Sequence, residues 1–171
     1  NKGNLYILAN TGEVIDFQGL ADSGITEEEW LNTSIQTEQG KALEFLSTKI
    51  NLDNEVQETY TVNTSLKRGV ARFDLLLRTE SPIAVQRVTL KNIAQQGYLF
   101  AKEEIASPDG TKTQDLTVDF SEPAQTDVQG IAYVYEQANT ELKVEVSMTA
   151  NGKQIIKETS LPSVLKRNAV Y

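Results

Sequence analysis

Three groups of carboxylates sit close enough along the chain to suggest acid–base chemistry: Glu27-Glu28-Glu29, Glu103-Glu104 and the pair Asp119/Glu122. Two carboxyl groups about 5 to 10 Å apart in a cleft would hydrolyse a glycosidic bond, one donating a proton while the other attacks or activates water. The simpler reading is a capped helix start and solvated loops, because a catalytic carboxyl needs burial to tune its proton affinity. Asp109 to Asp115 (DGTKTQD) makes a poor calcium loop, with a central lysine and without EF-hand spacing. The chain contains no histidine, which removes the usual general base near neutral pH, the Ser-His and Cys-His pairs and the commonest transition-metal ligand. It also contains no cysteine, hence no thiolate nucleophile, Cys-ligated zinc or disulfide framework. The expectation is a protein that is not an enzyme and has no cofactor or metal.

Binding is the alternative to catalysis. Tyr98, Phe100, Tyr133 and Tyr135 could form a stacking platform for a carbohydrate, which makes a cell-surface sugar-binding module the rival function. Tyr133 and Tyr135 share one face of a strand, where core packing with the hydroxyl directed outward is the favoured reading. Lys67, Arg68, Arg72, Lys166 and Arg167 could hold an anion, yet in a chain of net charge −8 they read as strand-end partners of local carboxylates. That charge argues against nucleic acid and anionic membranes, whose phosphates are bound through clustered Lys and Arg. Asn32-Thr33-Ser34 and Asn63-Thr64-Ser65 match the glycosylation sequon, a pattern short enough to arise by chance.

The elements that position these residues follow from periodicity. With 39% hydrophobic residues among 171, the chain can bury a real core in one large or two small domains. No apolar run reaches the length of a membrane span, and Asn1 begins without the charged and apolar stretch of an export signal. Leu5 to Leu8 reads as a short strand ended by the turn Ala9-Asn10-Thr11-Gly12, with Glu13 to Phe17 continuing the pairing. Thr26 followed by three glutamates is a helix start with a capping box to Glu29, and Trp30, Leu31 and Ile35 supply its buried stripe. A second short helix is expected over Gln39 to Leu46, before the β-favouring stretch Ile50 to Val62.

From Thr59 onward the pattern is almost wholly β. Expected strands are Glu58 to Val62, Gly69 to Arg78, Val85 to Ile93, Tyr98 to Ala101, Leu116 to Phe120, Gly130 to Glu136, Leu142 to Thr149, Lys153 to Thr159 and Lys166 to Tyr171. In the second of these, Ala71, Phe73, Leu75 and Leu77 face one way while Val70, Arg72, Asp74, Leu76 and Arg78 face the other. Leu116, Val118 and Phe120, and likewise Leu142, Val144, Val146 and Met148, alternate with polar residues as half-buried antiparallel strands do. Asn151-Gly152 is a type I′ hairpin turn and Asp109-Gly110 a turn in a longer connection. Many short strands separated by turns indicate a mainly β fold, a Greek-key β-sandwich with one or two short helices in the N-terminal third. A boundary is expected between residues 1–64 and 65–171.

Two passages about a hundred residues apart, SLKRGVARFDLLL (Ser65 to Leu77) and VLKRNAVY (Val164 to Tyr171), each put Lys-Arg at the mouth of a strand. With LYILAN (Leu5 to Asn10), IAVQRVTLKNI (Ile83 to Ile93) and IAYVYEQAN (Ile131 to Asn139) between and around them, the ordered set resembles the fimbrillin superfamily, the subunits of Bacteroides-type (type V) pili. The resemblance spans nearly the whole chain, although no single motif in it is specific. It implies transthyretin-like β-sandwiches in two domains, export to the cell surface and outer membrane as a lipoprotein precursor, and polymerisation with other fimbrial subunits by donor-strand exchange, in homo- or heteropolymers that support adhesion and biofilm formation. A sandwich lacking one strand exposes an apolar groove and unpaired backbone groups, both of which another subunit's extended segment can satisfy. The expected assembly or strand-edge residues are Val70, Phe73, Leu75, Leu77, Arg167 and Tyr171. The sequence departs from the family in having no lipobox cysteine and no processing arginine ahead of the first strand, and in stopping at Tyr171. The resemblance therefore implies that residues 1–64 are the later part of an N-terminal sandwich and that 65–171 lack their final strands. The ligand, if any, is a host or bacterial surface partner.

Overall fold

Period-two alternation on two strands builds most of this architecture, because those strands serve two cores at once. The computed structural model describes residues 3–12, 15–52, 61–79 and 81–171. In chain order its elements are β1 (Asn4–Ala9), α1 (Phe17–Asp22), α2 (Glu27–Leu31), β2 (Ser34–Gln36), β3 (Leu46–Asn51), β4 (Lys67–Arg68), β5 (Val70–Leu75), β6 (Ile83–Ala94) and β7 (Gln96–Tyr98). They continue as β8 (Thr113–Ala124), β9 (Val128–Tyr135), β10 (Gln137–Ala138), β11 (Lys143–Ala150), β12 (Lys153–Ser160) and β13 (Val164–Leu165). The mainly β fold with two short helices near the N-terminus is the one expected from the sequence.

A four-stranded antiparallel sheet, ordered β12-β11-β6-β8, forms one layer. Residues directly opposite in an antiparallel pair share a face, so the register rows Leu116-Leu90-Val144 and Val118-Val88-Val146 all point inward. The other face is solvated and ion-paired. There Lys143 lies opposite Lys91 and Glu145 opposite Glu158, and the like charges are reconciled by bonds from Lys91 Nζ to Glu145 and Glu158, both 2.7 Å, and from Lys143 Nζ to Glu158, 2.9 Å. Arg87 and Asp119 make a further pair at 2.5 Å.

The β5-β9 pair is the second layer. Ala71, Phe73, Ala132 and Val134 face the large sheet and join Val85, Val88, Leu90 and Ile93 in core one. Val70 and Tyr135, one residue out of phase, face the opposite way and are equally buried, in core two with Ile35, Phe45, Leu99 and Phe100. The Tyr135 hydroxyl, inside core two, accepts a hydrogen bond from the Leu43 amide (3.0 Å) and donates one to the Gln36 carbonyl (3.1 Å). Gln137 is likewise buried and satisfied, by the Ala94 amide and the Tyr135 carbonyl. Such satisfaction is what permits polar groups in a core. The expected division at residue 64 runs through core two, which takes Ile35 and Phe45 from one side and Val70, Leu99, Phe100 and Tyr135 from the other.

Local signals are matched in several places. Thr26 caps the amide of Glu29, whose carboxylate reaches back to the Thr26 amide; Trp30 and Leu31 pack against core two, while Ile35 reaches it from strand β2. Asn151 and Gly152 have φ of 50° and 73°, the double positive value of a type I′ turn. Elsewhere the structure differs. Gln39 to Leu46 is not a helix: Gln39 and Gly40 have φ of 50° and 78°, and Glu38 and Lys41 exchange two backbone hydrogen bonds of 2.9 Å around them. Phe17 opens a helix in place of ending a strand, because Asp16 caps it by accepting from the Gly19 amide. β7 covers Gln96–Tyr98, so of the strand expected from Tyr98 to Ala101 only Tyr98 is in a strand. Lys166 to Tyr171 is not a continuous strand, since Asn168 adopts φ of 61°. Glu13-Val14 and the Glu58 to Tyr60 part of the strand expected to end at Val62 lie outside the described residues, and Thr61 and Val62 are not in a strand.

Candidate assembly edge

The second layer gains a third member that the sequence conceals. After β13, the backbone turns at Asn168 and runs beside β5 in parallel, with Arg72 and Val170 bridged. Asn168 N donates to Val70 O (2.8 Å), Arg72 N to Ala169 O (3.0 Å), Tyr171 N to Arg72 O (2.9 Å) and Asp74 N to Tyr171 O (2.8 Å). The order across the layer is therefore segment 168–171, β5, β9. Tyr171 stacks on Phe73, with ring centroids 5.4 Å apart and 23° between planes, and its hydroxyl accepts from the Lys166 amide and donates to the Val164 carbonyl.

A buried ion pair fastens this segment. Arg167 and Glu136 expose only 7% and 8% of their side chains and meet at 3.0 Å. The remaining guanidinium nitrogens donate to the carbonyls of Leu99 (3.1 Å) and Tyr98 (2.9 Å). Burial of two charges is tolerated only with such complete pairing. The clamp ties the end of β9, the turn after β7 and the segment 166–171 into one unit.

Among the six residues expected at the edge, Phe73, Leu75, Leu77 and Tyr171 come together along core one, and the last three are half-buried. Val70 is elsewhere, sealed in core two on the opposite face of β5. Arg167 is an internal clamp whose side chain keeps only 7% of its surface exposed. The backbone of β5 is paired with the 168–171 segment as far as Asp74; from Leu75 to Leu77 no strand partner lies on that side among the described residues.

Core one is incompletely covered at its flanks. Val88 and Leu90 on central β6 expose 3% and 1%, yet the inward rows on either side, Leu116, Val118 and Phe120 on β8 and Val144, Val146 and Met148 on β11, are only half-buried. Between β8 and β9 lies a cleft of about 400 Å³, reaching Leu116, Val118, Ala132 and Tyr133, with Lys41 and Glu44 at its margin. Both of its lips are edge strands. The alternation of Leu116, Val118 and Phe120 was legible in the sequence; which of their faces would lack a cover was not, since that depends on the width of the opposing layer.

The chemical alternatives fare differently. Glu29 is spent in its capping box, and Glu103, Glu104 and Glu122 are exposed. Asp119 and Glu44 share the β8–β9 cleft, but both are exposed, and Asp119 is paired with Arg87, so they do not form an enclosed pair of carboxyl groups flanking a sugar bond. The aromatic platform does not form: Tyr135 and Phe100 are buried at 0% and 3%, Tyr98 lies under the Lys102 ammonium and Tyr133 packs toward core two. Arg72, one of the five candidate anion-binding residues, instead pairs with Asp74 at 2.9 Å. Among the described residues no acidic cluster is arranged to hold a metal ion, and no helix is long and apolar enough to cross a membrane.

No protein-family model matches the chain, and no curated protein matches it. Among solved structures the chain is similar to the tip fimbrial protein Mfa3 from Porphyromonas gingivalis, in a form with C-terminal truncation. The TM-score is 0.62 over 96% of this chain and 72% of that one, at 12% sequence identity. This chain thus has the fold of a fimbrial protein.

Proposed function

We propose that the protein is a non-enzymatic structural subunit of a bacterial surface fimbria, a member of the fimbrillin superfamily, that assembles with other fimbrial subunits by donor-strand exchange and supports adhesion. The observation that carries this reading is the half-open core one: inward apolar rows on β8 and β11 remain partly exposed, and among the described residues the outer edge of β8 has no strand partner. An extended segment from a neighbouring subunit would satisfy both deficits together, adding backbone hydrogen bonds and burying alternate side chains. The fold shared with a fimbrial tip protein supports the same reading.

In this account Phe73, Leu75, Leu77 and Tyr171 form the strand-sharing seam. The parallel segment 168–171 occupies the β5 edge as far as Asp74, and the Leu75–Leu77 stretch is open to a further strand. Val70 and Arg167 anchor the seam from behind, one in core two and the other through Glu136. Residues 1–64 belong to an N-terminal unit and residues 65–171 to a second transthyretin-like sandwich, docked through core two. The site of action is the fimbrium at the outer membrane, after export.

The test is mass spectrometry of sheared surface polymer from the cells that make the protein, with sequencing of the mature ends. The expected result is this chain within a high-molecular-weight polymer that resists mild denaturant. Its absence from every polymer and surface fraction would overturn the proposal.

A further inference from the structure

The free strand edges of the sandwich are not equivalent. On β12, Lys157 lies opposite Val146 and so shares the inward face with the apolar row; an inward-pointing lysine on an edge strand opposes the docking of another strand. The β5 edge is filled by residues 168–171 through Asp74. On the opposite side of the same layer, among the described residues, β9 has no partner beyond β5, and β8 has none beyond β6. These two edges form the lips of the cleft floored by Leu116, Val118 and Ala132.

Charge separates the β8 edge from the others, while Lys41 and Glu44 sit together at the margin of the cleft. From Thr113 to Ala124, β8 contains Asp115, Asp119 and Glu122 with no lysine or arginine, and β9 carries no charge at all. Asp119 keeps 61% of its side chain exposed while bonded to Arg87, and Asp115 and Glu122 are exposed as well. Two β8 strands paired antiparallel about Thr117 would set Asp115 opposite Asp119 twice, and like charges directly opposite destabilise a sheet. The edge repels the same edge of a second copy and favours a strand of opposite sign.

We infer that the β8–β9 cleft accepts an extended segment of another subunit, added antiparallel to β8, with alternate apolar residues over Leu116, Val118 and Phe120 and lysine or arginine on the other face toward Asp115 and Asp119. This rests on the strand-sharing reading above and adds to it the edge used and the charge of the occupant. The β5 seam and this cleft lie on opposite sides of the β5-β9 layer, so occupation of one leaves the other open.

The test uses two synthetic peptides of about nine residues, one alternating valine with lysine and threonine, the other with glutamate in place of lysine. Binding to the whole chain is read by amide-resolved hydrogen exchange and by titration. The expected result is protection of β8 amides by the lysine peptide, which binds about tenfold more tightly than the glutamate peptide at low ionic strength. The preference shrinks in ~0.5 M salt and narrows in the Asp115→Asn/Asp119→Asn variant, whose retained fold is checked by circular dichroism. Equal binding of the two peptides overturns the charge assignment while leaving strand addition in place. Protection at β5 or β12 with β8 unaffected overturns the choice of edge. Protection of no edge by either peptide overturns this inference, and the native-polymer experiment then decides the broader reading separately.

Discussion

Arg167 shows how a basic residue that invites a binding role can be spent inside the fold. Its charge is compensated by Glu136 and two carbonyls in a site where both side chains are over nine-tenths buried. Removing one partner strands a charge, so Arg167→Met should cost about 3–5 kcal/mol, whereas the double change Glu136→Leu/Arg167→Met should restore most of that loss; urea unfolding measures both. Equal destabilisation of the single and double variants would refute the clamp. Glu158 makes the opposite case at the surface. Hydrogen bonds from Lys91, then Lys143, hold its carboxyl down from 4.5 to about 2. A folded value below the unfolded one means the charged form favours the fold, so the contribution is complete above about 4.5 and disappears as pH falls toward 2. Urea midpoints across that interval should fall less steeply in Glu158→Gln than in the native chain, and identical slopes would dismiss the network.

At the scale of elements, the legible features were those written in adjacent residues. The Thr26–Glu29 capping box, the Asn151-Gly152 turn and the alternation along β5 need nothing beyond local sequence. The helix expected over Gln39 to Leu46 fails because a two-residue turn of positive φ brings Phe45 back into core two, a tertiary demand that overrides local pattern. Gly69 marks that demand: a Cβ there would overlap the Phe45 ring. Gly69→Ala should therefore destabilise by about 1–3 kcal/mol, and Phe45→Leu in the same chain should recover part of it; thermal melts of the three variants decide. The parallel segment 168–171 was equally hidden, since nothing in LKRNAVY announces that Asn168 reverses the backbone toward β5. Loss of the Tyr171 ring in Tyr171→Ala should free that segment, and the Arg72 and Asp74 amides should then exchange at least tenfold faster, with β9 amides unchanged. Unaltered exchange at those two amides would mean the stacking on Phe73 does not hold the seam.

For the whole molecule, two cores share one thin layer, and the consequence is an incomplete sandwich. The β5-β9 pair and its short parallel companion stand against four strands, too narrow to cover the inward rows of β8 and β11. Composition could exclude histidine and cysteine chemistry and suggest a β-sandwich, but the mismatch in layer width is a property of strand order, which becomes visible only in three dimensions. The same mismatch is what the proposed assembly would use: a strand from a neighbour would supply the missing cover and pair the open edges. The most direct measurement compares hydrogen exchange of the isolated subunit with that of the native surface fibre. Strong added protection is expected in residues 113–124 and 128–135, and at the Leu75–Leu77 stretch, once the subunit is assembled. Identical exchange at all of these edges in subunit and fibre would contradict it.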